Sequence, residues 1–273
     1  MNLELEKINT WFECNRLCLN VKKTKYILFH TRQTIIQDNL FITMNGQNIE
    51  RIGDQFEEKC FKFLGLHIDE HLTWKFHIQK ICKKIASANY IINKVKNVIP
   101  LNSLRNLYMT LVHCHLNYGL LLWGSSRHIN QVAKAQKKSI RTIHNKPYRA
   151  HTEPLLKLSG VLNINLYKFN VLLFMHQLKL GKLPRAFSSL EYFKFRENQN
   201  TRYRKLAQCK TPRTTFTSLL PIHKFPRIWN ELDLEHQQIC SAYKFKRDTK
   251  ALLLNKYRIT VHCENNFCKQ CYP

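Results

Sequence analysis

Four residues near the C-terminus have the types and spacing to hold a metal: His262, Cys263, Cys268 and Cys271, arranged H-C-x4-C-x2-C. Three thiolates and an imidazole suit tetrahedral zinc, and a small metal-closed knuckle is at home at a chain terminus. Adjacent His262 and Cys263 are awkward as joint ligands, and the spacing supplies half of a two-loop framework, so an untethered, reduced tail stays open as the other reading. Carboxylate chemistry has weaker candidates. Asp69 and Glu70 fall just ahead of a helical stretch, where a turn or N-cap role is expected instead of metal binding. Glu57 and Glu58 lie in a loop with nothing paired to them. His113, Cys114 and His115 sit in an apolar helical run, where packing is the expected role, and no Ser/His/Asp or Cys/His nucleophile arrangement can be assembled. Glycine numbers only seven, with no Gly-rich phosphate loop.

The better-supported chemistry is electrostatic binding. Residues 71–152 contain fourteen Lys and Arg and not one Asp or Glu, so these cations are not halves of local ion pairs. Trp74, Ile78, Ile81, Ile85, Ala88, Ile92, Val95 and Ile99 recur by fours and threes, which predicts one buried stripe on a helix over 74–99. Lys80, Lys83 and Lys94 fall nearly opposite that stripe, with Lys84 beside them. A further helix over 130–144 turns Val132, Gln136, Ile140 and Ile143 inward and sets Lys134, Lys137, Lys138 and Arg141 at i, i+3, i+4 and i+7. The ordinary reading of such faces is a solvated surface. The acid-free span favours a phosphate backbone held by contacts that supply affinity without reading sequence.

Composition points the same way. The formal charge is +26, from 44 Lys and Arg against 18 Asp and Glu, and such self-repulsion asks for an anionic partner, most commonly nucleic acid. Hydrophobic residues at 44% and aromatics at 11% supply a core in 273 residues, which argues against disorder. No apolar run is long enough to span a bilayer, and MNLELEKINTWF carries acids where a signal peptide is basic then apolar. An intracellular protein, cytoplasmic or nuclear and not secreted, is expected. Cys14, Cys18, Cys82, Cys114 and Cys240 read as reduced, small core residues. Trp123 and Trp229, within apolar patterns, read as packing anchors, not base-stacking platforms.

The elements that must position these residues change character near position 71. Before it, Asn2 is placed to cap a short helix whose Leu5, Ile8 and Phe12 share a face. A hairpin over 16–21 and 25–31 follows, turning at Lys22, Lys23 and Thr24, then a second over 40–44 and 47–52 at Asn45-Gly46, and a β segment over 61–68. After it the pattern is helical. Asn102 or Ser103 is placed to cap a helix with Leu104, Leu107 and Leu111 inward, 165–180 is strongly apolar, 201–226 reads as a basic loop, and 241–257 is a last helix.

INTWFECNRLCLNVKKTKYILF and FKFLGLHIDEHLTWKFHIQKICKKI, followed by LYMTLVHCHLNYGLLLWG, AQKKSIRTI, NTRYR, FPRIWNEL and YKFKRDTKALLLNKY, run in order along nearly the whole chain. In that order they resemble the reverse transcriptase of non-LTR (LINE-type) retrotransposons, the jockey group above all. The resemblance implies an α+β fold with the end of a polymerase palm and primer-grip-like hairpins over 1–70, a helical thumb over 71–150, a mainly helical C-terminal region over 151–260 and a Cys-rich tail over 261–273. It makes Phe63, Leu64 and Gly65 the primer-grip-like turn, and it favours zinc at the tail, since many such proteins end in Cys/His-rich segments.

The resemblance equally implies an RNA-directed DNA polymerase whose catalytic carboxylates, a Tyr-x-Asp-Asp loop and an earlier Asp, hold two Mg ions. The 273 residues contain no Asp-Asp. The expectation is therefore a fragment that binds RNA, DNA or their hybrid without polymerising, and that needs no cofactor of its own. Two alternatives remain: the C-terminal part of an active polymerase whose catalytic half is encoded upstream, and a noncatalytic scaffold or relic.

Overall fold

Asn2 starts the first helix, α1 (Asn2–Cys14), but does not cap it. Its side-chain oxygen accepts from Thr43 N and its amide donates to Phe41 O, both at 3.4 Å, so it fastens the helix to a strand. The helix stops where Arg16 turns left-handed at φ 57° and Leu17 N–H reaches back to Phe12 O at 2.9 Å. This computed structural model describes residues 2–34, 36, 41–188, 193, 195, 207–209 and 211–257. The architecture is α+β: short strands before residue 70, and helices through most of the described remainder. The chain forms two compact units, Met1–Gln79 and Lys80–Pro273.

In the first unit the hairpin expected over 16–31 does not form. Asn20 accepts from Lys23 N at 3.2 Å and closes a 3-10 turn, Val21–Lys23, where a strand would have ended. Strand β1 (Lys25–Ile27) instead runs parallel to β4 (Glu50–Ile52). Lys25 reinforces that pairing by drawing in Glu50 at 3.1 Å and Glu58 at 2.6 Å, so Glu58 is ion-paired, contrary to expectation. The Asn45-Gly46 hairpin is present, β2 (Thr43–Met44) against β3 (Gln47–Asn48), with φ of 51° and 70° at the two turn residues. Both angles lie in the region this dipeptide tolerates best. Residues 61–68 form a tight hairpin of their own, β5 (Phe61–Phe63) with β6 (Leu66–Ile68). Beyond it Asp69 takes the expected turn role: its carboxylate accepts from Thr73 N at 2.8 Å and Trp74 N at 2.9 Å.

Helix α2 (Lys75–Val95) begins within that turn and stops short of 99; it buries the middle of the anticipated stripe, Ile78, Ile81, Ile85, Ala88 and Ile92, while Trp74, Val95 and Ile99 are half-buried. Helix α3 (Leu101–Tyr108) is preceded by Pro100 as its cap residue, not by Asn102 or Ser103, and continues through a π turn (Met109–His113) into α4 (Cys114–Asn117). Its buried face is Leu104, Tyr108, Val112 and Leu116, while the expected Leu107 and Leu111 are half-buried. The π turn adds a residue to the repeat and rotates the face that follows it. Next come α5 (Leu120–Trp123), α6 (Ile129–Ile143), α7 (Glu153–Ser159) and α8 (Asn165–Lys179).

Past α9 (Arg185–Ser188) lie α10 (Thr215–Leu219), α11 (Pro221–Asn230), α12 (Leu234–Gln237) and α13 (Ala242–Asn255). Part of the expected 201–226 loop is thus helical, because Thr214 and Thr217 form a capping box and Pro221 opens the next turn. Helix α8 is the centre of the second unit, in contact with α5, α11 and α13. Trp123 and Trp229 are completely buried, as packing anchors should be. The cysteines are not core residues: Cys14, Cys18, Cys114 and Cys240 are exposed and Cys82 is half-buried, all with free thiols.

Candidate nucleic-acid interface

Lys80, Lys83, Lys84 and Lys94 project from α2 into solvent. They do so because the Ile and Ala positions of the same helix take the opposite side. Among the described residues no ion pair joins any of them to a carboxylate; the recorded pairs involve Lys7, Lys25, Arg51, Lys168, Arg247 and two histidines. Lys94 rests 5.5 Å from the exposed ring of Tyr90. Lys84 lies near His115, whose pKa is pulled down by burial and then by that lysine.

On α6, Lys134 and Lys138 are exposed and Lys137 is half-buried, again without ion pairs among the described residues. Arg141 has a different occupation. Its Nε donates to Ala150 O at 2.8 Å and its guanidinium lies 5.7 Å from the Tyr148 ring, so it braces the loop that follows the helix, and burial lowers its pKa. The eight cations occur as two helix faces of four, both in the second unit. Helix α6 is fixed to α3 by Gln136, which donates to Tyr108 Oη at 2.8 Å and to Leu162 O at 3.0 Å.

Other cations are consumed by structure. Arg105 Nε donates to Ser159 O at 3.0 Å, Lys179 Nζ to Gln237 O at 2.6 Å, and Lys168 pairs with Glu231. A second positive patch, which the sequence did not single out, joins α3 to α13: the pKa of Lys250 is lowered by burial and then by Arg105 and Lys246, and that of His113 by burial and then by Lys250. The signal available was the four-residue spacing of Lys246 and Lys250 opposite an acid-free segment.

Against known proteins, the RNA-directed DNA polymerase from mobile element jockey of Drosophila melanogaster is 25% identical over 157 residues. The chain is distantly similar to a retrotransposon reverse transcriptase. The match covers 55% of this chain and 16% of that relative, so the chain spans a minor part of the relative's length. No family model and no solved structure matches.

The remaining sequence-derived sites fall as follows. Phe63, Leu64 and Gly65 form the tip of the β5–β6 hairpin, with Phe63 and Leu64 well exposed and the turn residues at φ 46° and 82°. His262, Cys263, Cys268 and Cys271 lie outside the described residues. Instead, three ligand-bearing side chains converge in the first unit: His30, Glu70 and His71 place ligand atoms within 4.8 Å of one another. Nothing in the spacing announces this, since His30 and His71 are 41 residues apart. Among the described residues, no helix is long and apolar enough to cross a membrane.

Proposed function

We propose that this chain is a nucleic-acid-binding part of a non-LTR retrotransposon reverse transcriptase, in which residues 71–150 serve as a thumb and the β5–β6 hairpin tip as a primer grip. Lys80, Lys83, Lys84, Lys94, Lys134, Lys137 and Lys138 hold the phosphates of RNA, DNA or their hybrid without reading sequence, and Arg141 shapes the loop beside them. The observation that carries this is the pair of exposed lysine faces with no carboxylate partner among the described residues, in a chain similar to a jockey polymerase. With no Asp-Asp in its 273 residues, the chain binds without polymerising.

Titration of a labelled RNA–DNA hybrid against salt tests the reading. Affinity falls log-log with salt at a slope of about 0.7 to 0.9 per phosphate contact neutralised. Replacing Lys80, Lys83, Lys84 and Lys94 together by Ala weakens binding and flattens that slope. Affinity indifferent to salt, or unchanged binding by the variant, overturns the proposal.

A second reading, in which these residues work inside a complete polymerase, is favoured by the first unit's exposed apolar side chains. Trp11 is 58% exposed, Phe29 52% and Phe41 71%, apolar surface that a further polymerase segment would cover. Reading the genomic DNA upstream of the Met1 codon for an in-frame Tyr-x-Asp-Asp decides between the two.

A further inference from the structure

Three strand ends meet in the first unit. His30 follows β1, Gly53 and Asp54 follow β4, and Glu70 and His71 follow β6. Backbone contacts fix the meeting: His30 N donates to Glu70 O at 3.3 Å, and Asp54 N donates to Glu70 Oε1 at 2.8 Å. Gly53 is the residue that lets Glu70 in, because a Cβ there would stand 2.3 Å from Glu70 Oε2. The Glu70 carboxylate is thereby held almost out of solvent, at 5% side-chain exposure, with His30 at 15% and His71 at 12%.

The tautomers of both histidines follow from their neighbours. His30 Nδ1 lies 2.9 Å from Thr31 O, and His71 Nδ1 lies 3.0 Å from His30 O. A carbonyl oxygen can only accept, so each Nδ1 carries the hydrogen, and each neutral ring presents its Nε2 lone pair. Those lone pairs face Glu70: His30 Nε2 is 3.4 Å from Oε2 and His71 Nε2 is 3.8 Å from Oε1. Electron-rich atoms at that distance in a nearly dry site repel unless a cation lies between them. A proton on one ring nitrogen would serve only one of these two contacts.

A metal ion fits the arrangement better. Bonds of about 2.1 Å to a tetrahedral zinc put ligand atoms about 3.4 Å apart. Metal-bound histidines characteristically donate the other ring nitrogen to a carbonyl, as both do here, and ligating carboxylates are themselves supported by outer donors. Glu70 has two such supports, Asp54 N and the Arg51 guanidinium, whose Nη2 is 3.7 Å from Oε2. Asp54 Oδ2 lies 3.7 Å from His71 Nε2 on a half-exposed side chain, outside the cluster of three.

We propose that His30, Glu70 and His71 form a site for a divalent first-row metal ion, zinc in the first instance, with water completing the shell. The ion clamps the ends of β1, β4 and β6, whose paired segments are only three residues each.

The experiment uses the full chain with Cys263, Cys268 and Cys271 changed to Ser, so that tail thiolates cannot contribute. The metal-free protein is titrated with zinc alone by calorimetry, and histidine ring nitrogens are followed by NMR. Expected are uptake of one equivalent, a zinc-dependent rise in melting temperature, and shifts of the His30 and His71 Nε2 signals with Nδ1 remaining protonated. His30→Gln and Glu70→Gln each lower zinc affinity at least tenfold and abolish the thermal shift, with circular dichroism matching the metal-free parent. Absence of zinc uptake by the parent, or uptake without change at either Nε2, overturns the proposal whatever the variants do.

Discussion

Gln136 of α6 donates its amide to Tyr108 Oη of α3 at 2.8 Å, with both side chains almost wholly out of solvent. The same amide reaches Leu162 O at 3.0 Å, so one polar group joins three segments of the second unit. Burial holds the Tyr108 pKa well above its usual value. Changing Gln136 to Leu strips two buried acceptors of their donor and is expected to cost about 1–3 kcal/mol in denaturant unfolding. Tyr108→Phe removes only one acceptor, and the amide keeps its bond to Leu162, so about 0.5–1.5 kcal/mol is expected. In the double-mutant cycle the two changes should be non-additive, because they break one shared bond.

The distinction between binding and bracing cations can be measured. Lys80 and Lys84 are exposed and unpaired among the described residues, so alanine there is expected to leave stability within about 0.5 kcal/mol while lowering nucleic-acid affinity. Arg141→Ala is expected to do the opposite. It removes the bond to Ala150 and the packing on Tyr148, and should lower the melting temperature while changing the salt slope of binding least of the eight. Thermal melts and hybrid titrations on the same three variants check both halves.

Acid should destabilise the second unit through its buried histidines. The pKa of His176 is lowered chiefly by burial, with Lys179 and Lys182 adding to this and its bond to Ile239 O at 2.6 Å opposing it. His113 and His144 are lowered by burial and then by Lys250 and Lys146 respectively. A depressed folded-state pKa means that the unfolded chain, titrating near about 6.5, binds protons first. The stability is therefore complete above that value and is lost as pH falls through it toward the folded-state pKa. Melting temperature should drop between pH 7.5 and pH 5.5, and His176→Gln, whose ring otherwise stacks 4.0 Å from Phe245, should show a smaller drop from a lower starting point.

Sequence periodicity located α2 and α6 because each has one dry face. The stripe through Ile78, Ile85 and Ile92 and the set Val132, Gln136, Ile140 and Ile143 are buried as spaced. It failed where a local hydrogen bond outcompeted a weak pattern: Asn20 turned a strand-like run into a 3-10 turn and left β1 to pair in parallel with a strand from beyond the Asn45-Gly46 hairpin. Non-local pairings between three-residue strands leave almost no trace in a sequence, and for the same reason neither the His30–Glu70–His71 cluster nor the Lys25–Glu58 pair could be read from it. Asp69 was legible because its partners are four and five residues away.

Leu64 breaks a local rule in a way that tests the hairpin's role. It sits at the β5–β6 tip at φ 46°, a conformation that favours Gly, Asn or Asp, and it is 74% exposed. Left-handed backbone costs an ordinary residue about 1–2 kcal/mol, and Asn relieves part of that by bonding locally. An exposed, strained leucine at the apex is what a surface kept for contact would show, next to Phe63 at 54% exposure. Leu64→Asn is therefore expected to raise the melting temperature slightly and to weaken binding of a hybrid with a recessed 3′ end more than binding of a blunt one. Lys62→Ala on the same hairpin should weaken both substrates alike, since a phosphate contact does not distinguish them. If Leu64→Asn binds the two substrates with the parent's preference, the tip has no part in gripping a primer end.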